Sequence, residues 1–149
     1  MQVIEHFRGQ YDFLSNFHPA QIRFEGIDFP TVEHAFQAAK TKDRGLRLAV
    51  ANAPSPGAAK RIGRRLPLRG DWEATKVGVM RDLVRLKFVT HAELGTKLLA
   101  TGIATLVEGN TWNDRFWGIC HGEGRNQLGQ ILMEIRQELA ETSSSRANE

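Results

Sequence analysis

The apolar residues of this chain change their period at Pro30. Before it, Val3–Phe7 and Ile22–Phe29 are rich in β-branched and aromatic residues, with Glu25-Gly26 offering a turn inside the second segment. That is the pattern of short strands. After Pro30 the spacing becomes helical. Val77, Met80, Val84 and Phe88 recur at intervals of three, four and four, and Leu128, Ile131, Leu132, Ile135 and Leu139 form a second such stripe. Helices are expected over 31–40, 43–52, 56–65, 72–90, 92–100 and 126–140, with Thr31 as N-cap of the first. Thr105–Glu108 reads as a short strand. The expected fold is α+β and predominantly helical, a single domain over residues 1–141 with a small N-terminal β element and about six helices. A disordered tail is expected over 142–149, where Thr142-Ser143-Ser144-Ser145 is of low complexity.

A chain of 149 residues is the length of one domain, at roughly 100–200 residues each. Its longest apolar stretches, such as Leu48-Ala49-Val50-Ala51, are far short of the roughly 20 residues that a membrane span needs. The N-terminus lacks the basic start and apolar core of a signal peptide, and the single cysteine, Cys120, allows no internal disulfide. A cytoplasmic, monomeric protein with no membrane association is expected. The five histidines show no His-x-x-x-His or His/Cys pairing, so no metal is expected, and no cofactor either.

Twenty Lys and Arg against 17 Asp and Glu leave a net charge of +3, but 14 of the 20 cations are Arg, the side chain that grips phosphate bidentately. The densest run is Lys60, Arg61, Arg64, Arg65 and Arg69, with no acid between Ser55 and Gly70. It reads either as a solvated helix face or as a site for a phosphorylated or nucleic-acid ligand.

Four places could carry chemistry. On the helix entered at Thr31, a rotation of about 100° per residue puts Val32, Ala35, Phe36 and Ala39 on one arc and Glu33, Gln37 and Lys40 on another. The first arc should face the core. On the second, Glu33 sits where the helix dipole keeps a carboxylate ionised, so it either complements that dipole or serves as base, nucleophile or cation stabiliser. Lys40 is either solvated, or a phosphate holder or amine nucleophile. The loop from Glu108 to Gly118 holds Trp112, Asn113, Asp114, Phe116 and Trp117; its aromatics either plug the core edge or form a wall for a base or sugar beside Asp114. The run Gly122–Gly129 precedes the last helix, where backbone N–H groups could approach an anion. Arg8–Phe17 is a polar-aromatic loop whose phenylalanines are expected in the core, leaving Arg8, Ser15 and Asn16 to face a ligand.

These residues resemble a known family. Phe13-Leu14-Ser15-Asn16-Phe17, then Phe29-Pro30-Thr31-Val32-Glu33-His34-Ala35-Phe36-Gln37-Ala38-Ala39-Lys40, is similar to the opening of the NADAR (NAD and ADP-ribose related), or YbiA-like, family. The likeness continues through Gly63-Arg64, Trp72, Lys76, Val79-Met80, Lys87-Phe88, Leu98–Gly102, Leu106-Val107-Glu108, Asn113-Asp114, Phe116-Trp117-Gly118 and Gly124–Gly129, from about Phe7 to Leu139. Some members carry Asp-Gly-Gly after Trp-Gly, where this chain has Ile119-Cys120-His121. The resemblance implies N-glycosidase chemistry at the bond between ribose C1′ and a nitrogen. Two substrates go with it: ADP-ribose on guanine in nucleic acid, taken first, and the phosphorylated, ribosylated pyrimidine intermediates of riboflavin synthesis. A non-catalytic ADP-ribose or NAD-binding module is the third reading. Glu33, Trp72 and Asp114 carry over as the catalytic set, and Lys40 as a Schiff-base partner for opened ribose. Substrate contacts are expected from Arg8, Gly9, Ser15, Asn16, Gln37, Arg64, Trp112, Phe116, Trp117, Gly118 and Asn126.

Overall fold

Each of the six helices expected from periodicity is present. The structure, a computed structural model, describes residues 2–147. In chain order its elements are β1 (Val3–Ile4), a 3-10 helix (Gly9–Leu14), β2 (Ile22–Phe24), β3 (Ile27–Phe29), α1 (Val32–Ala38), α2 (Arg44–Ala51), α3 (Pro56–Gly63) and α4 (Trp72–Thr90), followed by α5 (Ala92–Ala100), β4 (Thr105–Leu106), β5 (Gly109–Asn110), β6 (Ile119–Cys120) and α6 (Gln127–Ala147). The fold is α+β and predominantly helical. Among the described residues, no helix is long and apolar enough to cross a membrane.

The chain falls into two compact units, one running from Asn16 to Thr90, the other made of the residues up to Ser15 and those from His91 onward. In the first, β2 and β3 form an antiparallel hairpin with Phe24 opposite Ile27; Glu25 and Gly26, both at positive φ, make its turn. α1 packs on α2, α3 and α4, and the hairpin packs on α1, α2 and α4. Ile22, Phe29, Val32, Ala35, Val50, Ala59, Met80, Leu83, Val84 and Phe88 are buried in this unit. Arg47 is buried too, donating from Nε to Thr41 O at 2.8 Å and pairing with Glu25 at 2.9 Å.

In the second unit the N-terminal strand finds its partner far along the sequence. β1 pairs in parallel with β4, Val3 opposite Thr105 and Ile4 opposite Leu106. The small N-terminal β element is therefore two separate pairings, because β1 cannot fold back locally: the chain after it closes into a 3-10 helix beginning at Gly9. β4 and α5 pack on α6, burying Leu94, Leu98, Leu106, Leu128, Ile131, Leu132 and Ile135.

Two expectations are corrected. Phe17 is 43% exposed rather than a core residue, while Phe13 is buried. The region expected as a tail is helical through Ala147; Gln137 pairs with Glu141 one turn on at 3.2 Å, a spacing that supports a helix, and Thr142 Oγ1 bonds back to Glu138 O at 3.0 Å. Residues 148 and 149 lie outside the described residues.

Two helical glycines predict opposite responses to the same substitution. A Cβ on Gly129 would overlap the Leu106 carbonyl, whereas one on Gly78 would meet nothing within 4 Å. Gly78→Ala should raise stability by about 0.5–1 kcal/mol, and Gly129→Ala should lower it by about 1–3 kcal/mol. Urea midpoints check this: both moving the same way would contradict the packing of α6 on β4.

Candidate active site

α1 has no solvated face. All seven of its residues are buried, so the polar arc is enclosed as well as the core arc: the unit packs α2, α3, α4 and the hairpin around one short helix. Its polar groups therefore need partners inside the protein. Thr31 caps the helix as expected, Oγ1 accepting from His34 N at 3.1 Å. The His34 ring lies between Thr31 Oγ1 at 2.8 Å and Ala53 O at 3.1 Å. A carbonyl only accepts, so Nε2 carries a proton and donates to Ala53 O, while Nδ1 shares a hydrogen bond with the Thr31 hydroxyl. His34 is a staple within the fold. Asn16 holds the helix start, its carbonyl accepting from Glu33 N at 3.1 Å, and its amide donates to Met80 Sδ at 3.4 Å.

Glu33 is 7% exposed and Gln37 4%. Gln37 Nε2 donates to Glu33 Oε1 at 2.7 Å. That leaves Gln37 Oε1 buried with no hydrogen-bond partner, lying where a Cβ on Gly63 would stand. The orientation has a physical reason: turned over, the carboxamide would aim an acceptor at a carboxylate. The N–H toward Glu33 favours the anion. Gly63 belongs to α3, and only a glycine there lets that helix seat against Gln37.

Lys40 stands two residues beyond the end of α1 and is half-buried. Burial pushes its ammonium below the ordinary lysine value; Glu33 opposes the shift, while Arg64 and Lys60 add to it. Glu33, Gln37, Lys40, Lys60 and Arg64 are thus brought together in one unit. The end of α1 is held by the turn before α4: Arg69 N donates to Lys40 O at 2.7 Å and Arg69 Nη1 to Ala39 O at 3.5 Å. Asp71 grips the same guanidinium at 2.6 and 3.1 Å, a contact that raises Arg69's pKa and lowers that of Asp71. Arg69, expected as part of a basic face, is committed to the helix end instead. The turn leads into Trp72, buried with its ring centroid 5.1 Å from that of Phe36 at an interplanar angle of 50°.

The other unit holds the aromatic loop. Asn110 organises it, Oδ1 accepting from Asp114 N at 3.0 Å while Nδ2 donates to Asp114 O at 2.9 Å and Glu108 Oε2 at 3.2 Å. Asp114 Oδ1 then accepts from Phe116 N at 3.2 Å and Trp117 N at 2.9 Å. The rings of Phe116 and Trp117 meet edge to face at 4.8 Å, and Arg125 lies over Phe116 at 5.8 Å. Trp112 stands 59% exposed. Gly118 is required by Glu108, whose carboxylate a Cβ would overlap. Asn110 and Glu108 were not singled out in the sequence; a buried asparagine leaves no signal there that distinguishes it from a turn residue.

The N–H groups at the entry of α6 are not open to an anion. Asn126 N, Gln127 N and Leu128 N already donate to Gly118 O, Phe116 O and Trp117 O at 3.2, 3.1 and 3.0 Å. The Asn126 side chain is likewise engaged, Oδ1 with Glu108 N at 3.0 Å and Nδ2 with Leu106 O at 2.9 Å. Arg8 and Gly9 are exposed at the start of the 3-10 helix, and Ser15 is half-buried at its end. Among the described residues, no group of three or more His, Cys, Asp or Glu is arranged to hold a metal ion.

α1 and the turn after it thus carry a buried carboxylate oriented by a carboxamide and an amine of lowered pKa. Comparison with known proteins identifies the family. The NADAR domain model matches residues 4–140. The chain is 47% identical over 133 residues to the N-glycosidase YbiA of Escherichia coli (strain K12), covering 87% of this chain and 82% of that protein. The NMR structure of E. coli YbiA superposes with a TM-score of 0.84 at 44% identity, covering 96% of this chain and 89% of that one. A riboflavin biosynthesis protein of Vibrio vulnificus is 42% identical over 134 residues, 88% of this chain but only 36% of that protein. The chain belongs to the NADAR family and to its YbiA-like N-glycosidases, whose general activity is cleavage of an N-glycosidic bond.

The Asp114 geometry separates bracing from charge. Asp114→Asn keeps an oxygen for the Phe116 and Trp117 amides, whereas Asp114→Ala removes it. Hydrogen exchange at these two amides should quicken by about tenfold or more in the alanine variant only. Equal exchange in both variants would show that the carboxylate does not hold this loop.

Proposed function

We propose that the protein hydrolyses the bond between ribose C1′ and a base nitrogen in a phosphorylated ribosyl compound, with Glu33 as the central group. The observation that carries this reading is the Glu33 carboxylate, buried and held by Gln37 at 2.7 Å. As the C–N bond lengthens, positive charge builds on the sugar, and a fixed anion in a water-poor setting stabilises that charge strongly. Water then delivers hydroxide to C1′ and a proton to the departing nitrogen, and in this reading Glu33 takes that proton in passing. Trp72, packed on Phe36 one turn along from Glu33, walls this helix. The family resemblance adds Asp114 to the catalytic set.

Lys40 supports a covalent variant. Its neutral amine would take the place of the base nitrogen at C1′, one proton lost from Nζ passing to the leaving nitrogen. The ribose ring would then open, its ring C–O bond breaking as the second Nζ proton passes to that oxygen and the C1′=Nζ Schiff base forms, and water would later release the sugar. The lowered pKa favours the neutral amine.

Two substrates fit, and the relatives change their order. The likeness to YbiA and to a riboflavin biosynthesis protein favours the phosphorylated, ribosylated pyrimidine. ADP-ribosylated guanine in nucleic acid is the second reading, favoured by the acid-free run that holds Lys60, Arg61, Arg64 and Arg65. Incubation with each, followed by detection of free base or free ADP-ribose, separates them. A binding module would release neither.

Glu33→Gln should lower kcat by about a hundredfold or more while ligand affinity stays within a few-fold, because the amide oxygen still accepts from Gln37. Turnover at the wild-type rate would refute the assignment.

Borohydride should trap a sugar adduct on Lys40, identified by peptide mass. A lowered pKa means that the neutral amine accumulates earlier as pH rises, so the yield should climb and level off below pH 10.5, the ordinary lysine value. Lys40→Arg should give none. No adduct under turnover conditions would remove the covalent route.

A further inference from the structure

We propose that Lys60 and Arg64, with Lys40 beside them, form the subsite that binds the phosphate of the ribosyl ligand. The inference rests on the proposed N-glycosidase reading and names the group by which the substrate is held. Its basis is the seating of α3 on α1. The Gln37 carboxamide lies against Gly63, so the residues flanking Gly63 on α3 are brought to the end of α1. Lys60 and Arg64 are four apart, neighbours on one face of α3, and Lys40 lies one turn beyond Gln37.

Three cations therefore converge where α1 and α3 end. The electrostatics agree: both Arg64 and Lys60 help to push down the Lys40 ammonium. Glu33 already acts on Lys40, but three cations around one carboxylate leave a net positive site that favours a further anion. The chain supplies no acid from Ser55 to Gly70, and Arg64 forms no ion pair among the described residues. Arg69, the next cation, is already held by Asp71 and the Ala39 carbonyl. Arg64 is exposed and Lys60 half-exposed, so an anion can reach them from solvent. A phosphate oxyanion suits a guanidinium and two ammonium groups, which together offer planar and point-charge donors. The arrangement also places that phosphate within electrostatic range of Lys40, so a bound phosphate would raise the lysine's pKa.

Calorimetric binding of ribose 5-phosphate, ribose and ADP-ribose to the whole protein tests this without any turnover, so its outcome is independent of the Glu33 experiment. Ribose 5-phosphate should bind at least about tenfold tighter than ribose. Lys60→Gln and Arg64→Gln should each weaken ribose 5-phosphate by about three- to tenfold, and Arg61→Gln, on the adjoining face of α3, should not. A matching loss for ADP-ribose extends the subsite to a diphosphate; no loss for ADP-ribose restricts it to a terminal monoester. Equal binding of ribose and ribose 5-phosphate, or an Arg61→Gln loss as large as that of Arg64→Gln, would overturn the subsite. As a second reading, the Lys40 side-chain NMR titration should move to higher pH when ribose 5-phosphate is added, and an unmoved titration would likewise contradict it.

Discussion

A short helix buried on every side, yet carrying a carboxylate, an imidazole and a carboxamide, is the constraint around which residues 16–90 are organised. Burial of an unpaired polar group costs about 1–3 kcal/mol in protein settings, so α1 can exist only if its neighbours answer each group. They do so one by one. Thr31 and the Ala53 carbonyl take the two nitrogens of His34, Gln37 takes an oxygen of Glu33, and Arg69 takes the carbonyls of Ala39 and Lys40. One acceptor, Gln37 Oε1, is left over. It is the consequence of aiming an N–H at Glu33, and it shows which side of the amide matters.

The loop around Asp114 solves a different problem, that of holding aromatic side chains on an irregular backbone. Its amides and carbonyls are answered by Asn110, Asp114 and the first N–H groups of α6. A helix N-terminus that elsewhere would attract an anion is here used to fix carbonyls 116–118. The loop is consequently a braced support for the rings of Phe116 and Trp117. Asp114 illustrates how one carboxylate can belong to the frame through Oδ1 while Oδ2 makes no hydrogen bond among the described residues.

How much of this could be read in advance follows from the range of each interaction. Periodicity is local, so α4 starts at Trp72 and ends at Thr90 as expected, and Thr31 caps α1 because an N-cap needs only its next three residues. The hairpin turn at Glu25-Gly26 was equally local. Glu33, Gln37 and Lys40 stood out as neighbours on one helix. Their burial did not, because it depends on three other helices. Gly63 carried no visible reason to be glycine, since the carboxamide it accommodates is 26 residues away in the chain. The partner of β1 was hidden for the same cause. Asn126 was expected as a ligand contact from the family resemblance, and only the positions of Leu106 and Glu108 reveal the bonds it makes within the fold.

The state of Lys40 is a balance rather than a property of the lysine. Desolvation and two cations favour the neutral amine, and Glu33 favours the ammonium. A change in any of these moves the balance, and on the proposed reading the substrate would change two of them. A sugar acquiring positive charge beside Glu33 would cancel part of the carboxylate's hold on the ammonium, and so favour the neutral form as the bond breaks. A phosphate on Lys60 and Arg64 would act in the opposite sense, restoring the ammonium while the ligand is intact. Under that proposal the same side chain would be biased towards a charged, binding form before reaction and towards a neutral, nucleophilic form during it. Glu33 has to be held still for this to work, because a carboxylate free to swing could follow the ammonium instead of the sugar. The hydrogen bond from Gln37, secured by the absence of a side chain at Gly63, is one contact that holds it in place.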